Sequence, residues 1–377
     1  MPHATNPKMS KRLQAFMAHI EKNYPLFVGF PASVDFDYEE VLPLFKYLLN
    51  NVGDPFVEPL HALHSAEMER EVITFFAELF RAAPDGVWGY VTAGGTEGNL
   101  YALYVARELL PEATVFYSDA AHYSIPKNTY ILRQQTCVVG TQPNGEMDYA
   151  NLIEKLRPHQ GKPIIIVATV GTTMTEAKDN LKRIKKALQD AGIKKYYIHC
   201  DAALAGIPTA LQTPHHPFDF ADGADSISIS GHKFVGSPMA CGVVLVKKSN
   251  RELVRRPSMY TGSPDITIGG SRNGHAPIFL WCAIQKWGKR GFKKRMEHSM
   301  QLAEYAHSEL QRIGWQAWRN PQAFTVMLAA PVSELIYKWQ LATYDGWSHM
   351  ICMPGVTKER IDHFIADLDF AERPAPL

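Results

Sequence analysis

Seven consecutive uncharged residues, Pro163-Ile164-Ile165-Ile166-Val167-Ala168-Thr169, constrain the fold more than any other stretch of this chain. A strand with one wet face alternates apolar and polar residues, whereas a continuous apolar, β-branched run has no wet face at all. Such a strand belongs inside a parallel sheet with helices packed on both sides. Shorter apolar segments repeat around it, at 88–92, 114–117, 136–139, 196–201, 226–230 and 242–246. Helical stretches separate them, one from about residue 97 and another over about 181–191. Strand and helix in alternation predict an α/β fold with a mostly parallel sheet.

The flanks differ from this middle. Residues 10–24 place Leu13, Phe16, Met17 and Ile20 on one helical face. An aromatic, proline-bearing arm follows, then a short helix to about residue 50 and another over 65–81. Beyond about residue 289 the spacing predicts a long helix over 292–313, strands near 325–328 and 350–353, and a last helix from 358. The expected organisation is an N-terminal arm over 1–60, a large α/β domain over 61–285 and a small α+β domain over 286–377. With 377 residues, 46% of them hydrophobic, the chain can bury a core of that size. A net charge of +1 gives no footprint for nucleic acid or an anionic membrane. No apolar run approaches the roughly 18 residues needed to span a bilayer, and residues 1–8 lack an apolar signal core. Five scattered cysteines (Cys137, Cys200, Cys241, Cys282 and Cys352) show no CxxC spacing and read as reduced thiols, not as a disulfide frame or a zinc site. The expected compartment is the cytoplasm, and no metal is expected.

Four features in chain order carry chemistry. Thr92-Ala93-Gly94-Gly95-Thr96-Glu97-Gly98-Asn99 joins a strand to a helix. It offers either an anion cradle at a helix N-terminus, with Gly95 and Thr96 as donors, or an ordinary glycine turn with a threonine cap. It matches neither the dinucleotide nor the Walker spacing. His122 follows a strand, where it could stack on a flat ring or serve as a hydrogen-bonded structural residue. Gly171-Thr172-Thr173 ends the buried strand and brings hydroxyls to the sheet edge where α/β sites collect. Asp201 ends another strand; buried there it needs a cationic partner, unless it caps a helix. Ser230-Gly231-His232-Lys233 comes about thirty residues later. A strand-end carboxylate with a later lysine suits pyridoxal phosphate, which needs an amine for its Schiff base and a carboxylate to keep its ring nitrogen protonated.

These segments, with Gly270-Ser271-Arg272-Asn273-Gly274-His275, resemble the pyridoxal-phosphate group II amino-acid decarboxylases. Within that group the chain is most similar to bacterial histidine decarboxylases and plant-type serine decarboxylases. The resemblance runs from about Phe27 to the C-terminal helix. It implies a fold-type I enzyme with a seven-stranded type of sheet and helices on both faces. It implies that Lys233 binds the cofactor, Asp201 pairs with the pyridine nitrogen, and His122 stacks on one ring face with Ala203 on the other. Gly95, Thr96, Thr172, Ser230 and His232 would join in holding the cofactor, mainly its phosphate. The resemblance also implies a homodimer with the site at the interface and a mobile loop, here about 258–269, whose Tyr260 would protonate the product carbon. Phe30, Phe56, His64 and Ala323 would line the substrate pocket.

Some positions depart from that pattern. Ala323 stands where such enzymes usually carry a serine, and Thr175-Glu176-Ala177 stands where they usually have glycine. Ala93 and Trp347 are also unusual. The expected reaction is decarboxylation of L-histidine to histamine, with L-serine or another amino acid as the alternative substrate. An aminotransferase or a decarboxylating oxidase is the competing chemistry; for a transaminase, Arg319 is the only obvious second-carboxylate ligand. A non-catalytic scaffold is the third reading, disfavoured because Lys233, Asp201 and His122 are all present.

Overall fold

The computed structural model describes residues 7–258 and 262–371. A short strand β1 (Asn50–Val52) precedes the main run of strands: β2 (Val87–Thr92), β3 (Thr114–Ser118), β4 (Thr136–Val139), β5 (Ile164–Thr169), β6 (Tyr196–Asp201), β7 (Ser226–Ser230) and β8 (Gly242–Lys247). β2 to β8 form one seven-stranded sheet in the order β2-β8-β7-β6-β5-β3-β4. The pairings from β4 through β7 are parallel, and β8 runs antiparallel to both β7 and β2. The mostly parallel expectation therefore holds, with β8 as the one reversed strand.

The apolar run lies where its composition demands. Every residue of β5 is buried, and alternate side chains enter different cores. Ile164, Ile166 and Ala168 belong to the large core that also takes in the helices Ala66–Leu79 and Leu181–Asp190, whereas Ile165 and Val167 belong to a second core with Leu103, Val115 and Tyr197. Complete burial of each isoleucine contributes about 2 kcal/mol. Helices on both faces turn β5 and β6 into a rigid floor whose carboxyl ends carry the site.

Past β9 (Ser271–Asn273), which pairs antiparallel with β1, the helix His275–Arg312 begins earlier than the sequence spacing predicts. Pro277 does not forbid that start, because a first-turn residue has no helical acceptor to lose. The helix breaks at Gly288, whose φ of 52° and ψ of −175° suit only glycine. It then supports a small antiparallel sheet in the order β10-β11-β13-β12, made of β10 (Ala317–Trp318), β11 (Thr325–Ala329), β12 (Ala342–Tyr344) and β13 (Trp347–Ile351). The two sheets are joined by Glu176. Its backbone is left-handed (φ 55°), which accounts for a position where glycine is usual. Its buried carboxylate accepts hydrogen bonds from Phe324 N (3.0 Å), Thr325 N (2.9 Å) and Thr325 Oγ1 (2.8 Å). Among the described residues, no helix is long and apolar enough to cross a membrane.

Candidate active site

The carboxyl ends of β5, β6 and β7 and the start of the helix Gly95–Leu109 surround a cavity of about 600 Å³. Lys233, Asp201, His122, Gly95, Thr96, Ala203, Ser230 and His232, far apart in the chain, all lie on its wall. Open α/β sheets place ligands at this edge because loops there connect consecutive strands.

Lys233 sits just past β7 in the wide turn Gly231–Val235, with φ −85° and ψ −108°. Its amine has no hydrogen-bond partner among the described residues, and burial holds it below the usual lysine range against the opposing pull of Asp201. A lysine so placed is more available as a neutral nucleophile than one in water. Asp201 is buried; its Oδ1 accepts Ala203 N–H (3.2 Å) and its Oδ2 accepts Asn99 Nδ2–H (2.8 Å). The second Asn99 Nδ2–H goes to Ser124 Oγ (3.1 Å), and Ser124 Oγ lies 2.8 Å from His122 Nδ1. His122 Nδ1 also accepts Ser124 N–H (3.3 Å). Burial depresses the His122 pKa, and Lys233 and Lys127 add to that while Asp201 opposes it. The neutral ring therefore carries its proton on Nε2.

The anion cradle is equally specific. A Cβ on Gly95 would approach Ser230 Oγ to 2.9 Å and Ala203 Cβ to 3.3 Å, so a side chain there would fill the space above the helix start. First-turn amides lack helical acceptors and carry the positive end of the helix dipole. Asn128 Nδ2 fixes the turn by donating to the Thr96 carbonyl (2.9 Å). His232 Nδ1 rests against the Cys241 backbone, 3.1 Å from its carbonyl oxygen. Thr172 does not face the cavity: its hydroxyl closes the following turn with Thr175 Oγ1 (2.9 Å) and Ala177 N (3.0 Å), and Thr173 lines the wall instead. Thr169 lies on the wall with a buried Oγ1 that has no hydrogen-bond partner among the described residues, a site residue that the sequence motifs do not pick out. Glu97 was also missed; it lines the cavity while accepting from Tyr90 OH (2.9 Å) and Ala93 N (2.8 Å). Ala93 thus serves through its backbone, which makes its side chain irrelevant to that bond.

The residues assigned to the substrate side are not brought together. Phe30 is exposed and stacks on Phe27 (5.6 Å between centroids), Phe56 is exposed, and His64 Nδ1 accepts Ala66 N–H (3.2 Å). Ala323 is fully buried, its carbonyl accepting from Arg319 Nη1 (2.9 Å). None of the four lines the cavity. Arg319 is committed to that carbonyl and to Glu304, away from the site, so the transaminase-type ligand is missing from the wall. Trp347 packs edge-on against Trp318 in the small sheet. Tyr260 lies outside the described residues. Of its loop, Arg256 and Asp265 pair through their backbones (2.8 and 2.9 Å), and Ile268 and Gly269 reach the cavity.

A model of the pyridoxal-dependent decarboxylase conserved domain matches residues 46–315. Histidine decarboxylase of Mesorhizobium japonicum is 44% identical over 367 residues, covering 97% of this chain and 99% of that protein. Histidine decarboxylase of Morganella morganii is 41% identical over 342 residues, 90% of each. L-methionine decarboxylase from Streptomyces sp.590 shares the fold with a TM-score of 0.89 at 23% identity, covering 98% of this chain and 96% of that one. Lactobacillus brevis glutamate decarboxylase does so at 0.80 and 19%, covering 99% and 95%. The cavity fits pyridoxal 5'-phosphate: it has an unfilled cradle at Gly95, an orphaned Thr169 hydroxyl, an unpaired lysine amine and a buried carboxylate. A lysine just past one strand and a carboxylate at the end of its neighbour, in a chain matched over nearly its whole length, lead to one conclusion: this protein belongs to the pyridoxal-dependent decarboxylases and is an amino-acid decarboxylase that uses pyridoxal 5'-phosphate.

Proposed function

We propose that this protein decarboxylates L-histidine to histamine, with Lys233, Asp201 and His122 as its working residues and a homodimer as the active form. The chemistry is carried by one observation, the convergence of those three side chains over a helix N-terminus in a single cavity. The substrate reading rests on the 39–44% identity to histidine decarboxylases over nearly the whole chain. Bound pyridoxal 5'-phosphate supplies an electron sink for the pair left on Cα when the bond to the carboxylate breaks.

The chain's own residues supply the rest. Lys233 offers the amine that would hold the cofactor, and burial holds its pKa below the usual lysine range, so the neutral amine is reached more easily than in water. Asp201, acceptor to two N–H groups, would hold a proton on the ring nitrogen. His122 presents a flat neutral ring with a donor at Nε2, suited to stacking. Gly95, Thr96, Ser230 and His232 would receive the phosphate, with Ala203 against the ring face opposite His122. Tyr260 is the proposed donor of the proton to Cα. The homodimer is supported by the helix Pro7–Asn23, which exposes Leu13, Phe16, Met17 and Ile20 on one apolar face. It is also supported by a substrate side that a single chain leaves open.

Carbon dioxide release from each L-amino acid, with the visible spectrum of the purified protein, tests this reading. A cofactor band with release from L-histidine is expected. Release from L-serine alone would move the substrate, and a protein that takes up no pyridoxal 5'-phosphate would overturn the proposal.

A further inference from the structure

The roles of Lys233, Asp201 and His122 leave the buried Asn99 side chain without a purpose. Asn99 is 1% exposed and lies on the cavity wall, one helical turn after Gly95 on the same face of the helix. The helix whose start forms the anion cradle therefore also reaches the Asp201 end of the cavity. The Asn99 amide is saturated within the chain. Nδ2 donates to Asp201 Oδ2 and to Ser124 Oγ, while Oδ1 accepts from Ser228 Oγ and lies 2.9 Å from His199 Nε2. Two donors and two lone pairs exhaust a carboxamide.

That saturation fixes every proton in the cluster. A flipped amide would set oxygen against the Asp201 carboxylate, so Nδ2 must face it. Oδ1 then requires donors, which makes His199 an Nε2–H imidazole whose Nδ1 accepts from Ser226 Oγ (2.9 Å). Burial, lowering the His199 pKa to about 4, agrees with a neutral ring. On the other side, Ser124 Oγ accepts from Asn99 and has its own proton left to give, and His122 Nδ1 is 2.8 Å away. His122 is thereby left with its proton on Nε2.

We infer that Asn99 is a positioning residue for the decarboxylation, holding Asp201 as a hydrogen-bond acceptor and, through Ser124, holding His122 as the Nε2–H tautomer. The inference rests on the roles proposed for Asp201 and His122. One amide then governs the proton state of two groups that meet the cofactor at different places, the ring nitrogen and the ring face.

Asn99→Asp tests it with almost no change of shape, because it keeps the acceptor at Oδ1 and replaces the donor facing Asp201 by oxygen. The holoenzyme variant is expected to lose about 100-fold in kcat, with KM for L-histidine within about threefold of wild type. The pH at which the bound pyridoxal 5'-phosphate band titrates should also shift. In the apoprotein, ¹⁵N spectra of labelled histidine, with His122 assigned by His122→Gln, should lose the Nε2–H signature. Ser124→Ala cuts only the branch to His122. The backbone N–H of residue 124 remains, so the variant should lower the Nε2–H population of His122 while the band titrates at the wild-type pH. A folded Asn99→Asp protein with unchanged band titration and His122 tautomer would overturn the inference. If Asn99→Asp does not fold, an unchanged tautomer in Ser124→Ala overturns it alone. Asp201→Asn separates the two levels. If that variant keeps the wild-type band and activity, the site reading itself fails; if it loses both while Asn99→Asp loses neither, only the inference fails.

Discussion

At the strand ends, Asp201, Asn99, Ser124, His199 and Ser228 satisfy one another's hydrogen bonds in a buried cluster. On the side expected to receive the substrate, Phe30 and Phe56 stand in solvent, and Ala323 is buried away from the cavity. The residues expected to hold the cofactor come from the carboxyl ends of neighbouring strands of one rigid sheet and from the helix start at Gly95. The side expected to receive the substrate draws on an arm whose Phe30 and Phe56 side chains are exposed while Val28, Ser33 and Asp54 are buried in the body. Rigid chemistry beside an adaptable wall is an arrangement in which substrates can change while the reaction does not.

The largest effect that would sharpen this contrast is expected at Lys233. Lys233→Ala should reduce carbon dioxide release on the order of 10⁴-fold or more and remove the visible cofactor band. Retention of both would place the chemistry elsewhere. Next in size comes the ion pair that ties the arm to the sheet. Arg272 donates to the buried Glu69 and, through Nη2, to the Gly53 carbonyl (3.1 Å); Asn51 Nδ2 and Val91 N also donate to Glu69 (2.7 and 2.8 Å). Arg272→Ala leaves that carboxylate buried and uncompensated, and should cost about 3–5 kcal/mol in urea unfolding. A loss typical of an exposed pair would mean that the arm is held by something else.

A third effect concerns pH. Burial pushes the His199 pKa down to about 4 from an ordinary 6.5. The unfolded chain therefore binds this proton first as pH falls. The stabilisation from keeping the ring neutral is complete above pH 6.5 and is lost as pH falls through 4, on the order of 3 kcal/mol over that window. Urea midpoints of wild type and His199→Gln should diverge in their pH dependence between 7 and 4; parallel curves would remove His199 from the cluster's energetics. The smallest effect lies on the substrate side. Phe56→Ala should raise KM for L-histidine roughly threefold with kcat unchanged, and shift stability by no more than about 0.5 kcal/mol. A collapse in kcat would show that this wall shares the rigidity of the other.

Much of the cofactor half could be read from residue order alone, because each element there is local. Asp201 and Ser230 end strands, Gly95 opens a helix, and such positions fall on the carboxyl edge of a parallel sheet whatever the strand order. Asn99 lay inside a quoted motif without a role; the signal was a polar residue one turn after Gly95 on a helix that must face the sheet. Thr173 rather than Thr172 faces the cavity because Thr172 closes a turn, a choice that one residue of backbone rotation decides. The residues expected on the substrate side do not line the cavity of this chain, because their position depends on how an arm folds across the body, and no local pattern encodes that.

Residue order and local pattern were enough to make the continuous apolar run at 163–169 a strand covered on both faces, and to bring lysine, carboxylate, histidine and glycine turn to one sheet edge. Periodicity and burial act over a few residues, so they can be read locally. It took the folded packing to set Asn99 against Asp201, 102 residues away, to run β8 against its neighbours, and to give Glu176 a left-handed backbone that holds Phe324 and Thr325. Those outcomes depend on which buried donors and acceptors find one another, and a buried polar group must find its partner however far along the chain it lies.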